Sequence, residues 1–64
     1  MGIDALEAIL RALGWSPTEG DDSVGTRAWN RVGDLRTIRT PRTDWVNLRI
    51  AHRIIKIASL TVLR

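Results

Sequence analysis

The chain has 64 residues, no Cys, one His and ten cations against seven acids, for a formal net charge of +3. A chain this short buries only about 60% of its unfolded surface, so one small domain over residues 1–64 is the most it supports. Disulfides, thiolate metal sites and a His-rich metal site are excluded, which leaves self-association as the remaining source of extra stability.

Residues 4–13 read as a helix. Asp4 with Glu7 three residues on resembles a capping box, and Ile3, Leu6, Ile9, Leu10 and Leu13 fall on one helical stripe. Gly14 suits the left-handed position past the end, and Trp15 the apolar contact that follows it. Ser16-Pro17-Thr18-Glu19 looks like a second helix start, but Gly20-Asp21-Asp22 limits it to a loop or a short 3₁₀ turn.

A second helix is expected over 23–32, capped by Asp22 or Ser23 and ended by Gly33. Val24, Ala28, Val32 and Leu35 would share its buried face, and Thr26, Arg27, Asn30 and Arg31 its polar face. Residues 34–42 hold Arg36-Thr37, Arg39-Thr40 and Arg42-Thr43 at a spacing of three. Thr disfavours helix and Pro41 makes Thr40 extended, so an extended connector is expected.

Residues 43–64 contain neither Gly nor Pro, and a long helix over 44–62, capped by Thr43 or Asp44, fits them. Val46, Ile50, Ala51, Ile54, Ile55, Ile57, Ala58 and Val62 cover about half its circumference, and Arg49, His52, Arg53 and Lys56 gather opposite. The alternation of Val46-Asn47-Leu48-Arg49-Ile50 admits an alternative, a β-hairpin over 35–50 with its turn at 41–44, followed by a shorter helix. The expected fold class is therefore mainly α: a small three-helix domain with an Arg-rich extended connector before a C-terminal amphipathic helix.

Charge points to the partner class. Residues 1–22 carry five acids and one Arg; residues 23–64 carry nine cations and two acids. All but one of the ten cations are Arg, the side chain suited to bidentate contact with phosphate. In a polyproline-like connector Arg36, Arg39 and Arg42 would stand about 9 Å apart on one edge. The competing reading is a solubilising connector, or one paired with Glu19, Asp21 and Asp22. Arg49, His52, Arg53 and Lys56 lack the interspersed acids of an ordinary solvated face. A helix-turn-helix is disfavoured, because Gly14 to Ser23 is too long for its turn. Trp15, Trp29 and Trp45 are expected to fill the core, since there is no Phe or Tyr, with base stacking as the lesser alternative.

No catalytic constellation and no Gly-rich phosphate loop is present, so no enzyme activity, cofactor or small-molecule substrate is expected. The leading expectation is a small basic protein that binds nucleic-acid phosphate, or another anionic macromolecule, through Arg27, Arg31, Arg36, Arg39, Arg42, Arg49, Arg53 and Lys56. The second is a protein-interaction or inhibitor module, self-associating or blocking an acidic partner, with an interface of Trp45, Ile50, Ile54, Ile57 and Leu60 on the apolar arc of the C-terminal helix. Peripheral binding to an anionic membrane ranks third. The sequence has no stretch of ~18 apolar residues. Met1-Gly2-Ile3-Asp4 does not read as a secretory signal, and Leu6 breaks a myristoylation pattern, so a cytoplasmic location is expected.

Overall fold

A computed structural model of the chain describes residues 1–18 and 25–60. In chain order it has helix α1 (Ile3–Ala12), strands β1 (Trp15–Pro17), β2 (Thr26–Arg31) and β3 (Ile38–Pro41), and helix α2 (Leu48–Ser59). The strands form one antiparallel sheet in the order β1-β2-β3. The fold is α+β, which overturns both the three-helix expectation and the hairpin over 35–50: β3 pairs with β2, and residues 48–50 are helical.

The physical reason lies in β2. Its neighbours in register are Trp15 opposite Arg31 and Ile38 opposite Trp29, so Arg27, Trp29 and Arg31 share the face toward the helices. Two of those three inward residues are Arg, which hides a strand's alternation of apolar and polar residues. The helical face expected from Val32 and Leu35 does not exist; both side chains are fully exposed. Val24, and the caps expected at Asp22 and Ser23, lie outside the described residues. Gly33 ends no helix. It has φ 81° and follows Val32 in a turn closed by Asp34 N–H donating to the Arg31 carbonyl, the type II geometry that favours Gly. Residues 16–17, expected in a loop, belong to β1.

The two helices agree more closely. α1 starts at Ile3 with Gly2 as its N-cap and no side-chain cap, so the Asp4 capping box does not form. Gly14 takes φ 93° just past its end, as expected. α2 is shorter than the expected 44–62: Asn47, not Thr43 or Asp44, caps it, its Oδ1 accepting from Arg49 N–H at 2.8 Å.

Leu6 and Leu10 of α1 and Ala51, Ile54 and Ala58 of α2 bury against Trp15, Trp29 and Ile38, with Val46 completing the core. The segment before α2 is tied to the segment before α1 by a Gly2–Trp45 bridge, with Ile3 N–H donating to Asp44 O at 2.9 Å and Val46 N–H to Met1 O at 2.8 Å. At the far end, Arg31 Nη1 donates to Leu13 O at 3.5 Å and Ala58 O at 3.1 Å. Both helices therefore begin at one end of the molecule and finish together at the other. Trp45 is not core, contrary to expectation; it is 64% exposed, while Trp15 and Trp29 are buried.

Among the described residues, no buried side-chain nitrogen or oxygen lacks a hydrogen-bond partner. Trp29 Nε1 donates to Thr40 Oγ1 at 3.0 Å, across β2 and β3. Thr40→Val keeps the shape but leaves that indole N–H without an acceptor, a loss of about 1–3 kcal/mol. Thermal unfolding should show the midpoint falling by at least about 4 °C in a domain of this size.

Candidate anion-binding surface

α2 turns Ala51, Ile54 and Ala58 inward. At 100° per residue, Arg49, His52, Arg53 and Lys56 fill an arc of about 100° on the opposite side. All four are exposed. The ion pairs found among the described residues involve none of them. Arg49 to Lys56 spans about 10.5 Å of helix. Ile50 and Ile57 border this arc on one side and Leu48 on the other, all three partly exposed. Ile54, expected at an interface, is only 8% exposed and packs in the core.

The other predicted cations divide differently. Arg27, on β2, pairs with Glu7 of α1 at 3.3 Å. Arg31 and Arg36 converge on Asp34, whose side chain is 4% exposed, with Nη2–Oδ2 distances of 2.7 and 2.6 Å. The same guanidinium groups cap α2: Arg36 Nη1 donates to Ile57 O at 2.9 Å, Arg36 Nη2 to Leu60 O at 2.7 Å, and Arg31 Nη2 to Leu60 O at 3.1 Å. Arg31 also lies 4.9 Å from the Trp15 ring centroid. The last carbonyls of a helix lack intrahelical donors and carry partial negative charge, so cations suit this position. Sequence reasoning missed Asp34. The signal for it was a single acid flanked by Arg31 and Arg36 in a stretch otherwise basic from Arg27 to Arg42.

Arg36, Arg39 and Arg42 do not form the expected row. β3 is a strand, so its residues alternate between faces. Arg39 lies on the sheet face away from the helices, where it donates to Thr26 Oγ1 at 3.2 Å. Arg42 Nε donates to the Thr26 carbonyl at 2.7 Å, beyond the end of β3. The pairing expected with Glu19, Asp21 and Asp22 involves residues outside those described.

Two open clefts are present among the described residues. One, of about 250 Å³, places Asp4, Glu7 and Asp44 against Arg27 and Arg42, so it is no anion site. The other, of about 320 Å³, is lined by Ser16, Thr18 and Asn30 beside Arg31. No group of His, Asp or Glu among the described residues is arranged to hold a metal ion. No helix among them is long and apolar enough to cross a membrane. Compared with known proteins, the chain matches no family model, no curated protein and no solved structure.

The Arg36 side chain, then its backbone N–H, hold the Asp34 carboxyl well below the ordinary carboxylate range; Arg31 adds to this and burial opposes it. A lowered folded-state pKa stabilises the fold above the unfolded value of about 3.9, and that contribution is lost as pH falls toward the folded value. Asp34→Asn should therefore lower the thermal midpoint at pH 7. The gap between variant and parent should narrow as the pH is taken from about 5 to 2. A constant gap across that range would mean the carboxylate charge is not what stabilises the cluster.

Proposed function

We propose that this protein is a non-enzymatic, cytoplasmic binding domain that engages nucleic-acid phosphate through the outer face of α2. The observation that carries this reading is the position of Arg49, Arg53 and Lys56: exposed, on one arc of one helix, opposite its buried face. A row of cations on a rigid helix suits phosphate contact without sequence readout. Arg27, Arg31 and Arg36 are engaged with Glu7, Asp34 and the end of α2, and Arg39 lies across the sheet, so the contact surface is narrower than composition suggests.

The packing of α2 disfavours the membrane reading. Its widest apolar sector, Ala51, Ile54 and Ala58, faces the sheet, whereas an interfacial helix needs that sector for lipid. A second reading, contact with a protein partner or another copy, is favoured by the exposure of Val32, Leu35, Trp45, Leu48, Ile50, Ile57 and Leu60.

Binding to random-sequence duplex DNA across a salt series tests the proposal. Three phosphate contacts give a log–log slope of about −2.7. Replacing Arg49, Arg53 and Lys56 together by Gln should remove most of the affinity and flatten the slope, while Arg39→Gln should change little. No binding by the parent protein at low salt would end the proposal, and sedimentation of the same samples reports the second reading.

A further inference from the structure

An exposed aromatic residue, Trp45, stands three positions before the helix that carries the proposed phosphate surface. Trp15 and Trp29 are buried, and their indole N–H groups donate to Ala58 O at 3.2 Å and Thr40 Oγ1 at 3.0 Å. Each also lies under a guanidinium group, Arg31 over Trp15 and Arg11 over Trp29. Trp45 has none of this. It is 64% exposed, and no hydrogen bond or ring contact of its side chain occurs among the described residues.

Its position is nevertheless fixed. The backbone of residue 45 is bridged to Gly2, its carbonyl accepts from Thr43 Oγ1 at 2.9 Å, and Val46 beside it is buried. With Val46 turned inward, Trp45 is turned outward on a pinned backbone, at the N-terminal end of the helix that carries Arg49, Arg53 and Lys56. Arg49 is four residues on, so its backbone is at most about 14 Å away. An exposed indole on a pinned backbone, just ahead of the helix that carries the cations, supplies with them the two elements that single-stranded nucleic acid uses. One is a flat ring for an unstacked base, and the other is a basic track for the backbone. A duplex offers the phosphates but keeps its bases stacked, so it could use the track and not the ring.

Resting on the reading of α2 as a phosphate-binding face, we infer that the preferred ligand is single-stranded nucleic acid, with one base stacked on Trp45 and the adjoining backbone lying along Arg49, Arg53 and Lys56. Recognition is tolerant of sequence, because every base has a ring face.

The test compares an oligothymidylate of about twelve nucleotides with a random-sequence duplex at one low salt concentration, for the parent protein, Trp45→Ala and Trp45→Phe. Trp45→Ala should weaken single-strand binding by about 5- to 150-fold and leave duplex binding within about 2-fold. Trp45→Phe, which keeps a stacking ring, should retain most of the affinity. Saturation with oligothymidylate should quench tryptophan emission in the parent, and the quench should vanish in Trp45→Phe although binding persists. Circular dichroism of each variant confirms that the exposed substitution leaves the fold intact. Equal affinity of the parent for both DNA forms, with no effect of Trp45→Ala, overturns the inference and leaves the α2 surface standing. Binding of neither form overturns both. A Trp45→Ala variant that binds both DNA forms normally but loses self-association assigns the indole to a protein contact and also overturns the inference.

Discussion

Two helices that run side by side in the same direction bring their C-terminal carbonyls, and the partial negative charge on them, to one end of the molecule. That arrangement needs cations and donors at the shared end, and Arg31 supplies them to both helices at once, at Leu13 O and Ala58 O. Arg36 completes the set on α2. Two half-buried guanidinium groups would repel each other there without Asp34 between them. One carboxylate and two guanidinium groups leave a net positive unit facing the helix ends, which is the sign the dipoles require. Trp15 adds a ring beneath Arg31 and its own N–H to Ala58 O. The sheet is thereby fastened to α2 by polar contacts at the edge of a small apolar core.

This internal use of charge decides what remains for function. The basic excess suggested a broad cationic surface, yet the fold draws Arg31 and Arg36 into its own frame and sets Arg27 against Glu7. Among the described residues, the outward cations of α2 form one short track. It can stand out because the inner face of α2 is apolar: Ala51 and Ala58 let the helix sit close to its neighbours around Ile54, and Arg49, Arg53 and Lys56 go to solvent. The sheet's outer face has a different chemistry, with Ser16, Thr26 and Asn30 beside the guanidinium of Arg39.

Local signals in the sequence located the two helices that exist but misplaced their N-caps and added a third over residues that form β2. The stripe of Ile3, Leu6 and Leu10, the left-handed Gly14 and the separation of cations from Ala51, Ile54 and Ala58 all correspond to features of the structure. The sheet was not legible, because the inner face of its central strand β2 is written with Arg27 and Arg31 on either side of Trp29. An arginine stem covers apolar surface while its head finds a carboxylate or a carbonyl, and a pattern that scores Arg as polar places it outside. The clearest case is the pair Val32 and Leu35, which periodicity buried and the turn at Gly33 exposes. For the candidate site, the track on α2 was readable from spacing alone. Which of the remaining cations join it depends on where Asp34 and Glu7 lie in three dimensions, and spacing along the chain carries no such information.

The carbonyl of Ala58 accepts from the indole of Trp15, forty-three residues earlier. Residue 46 likewise bonds to residue 1. Contacts so distant along the chain close only after the intervening loop entropy has been overcome, which slows folding relative to a helical bundle. During synthesis, α1 and the strands would leave the ribosome with Trp15 and Trp29 still lacking the helix that covers them. Until residues 48–60 have emerged, Trp15 and Trp29 lack the helix that completes their core, so the sheet depends on a segment made after it.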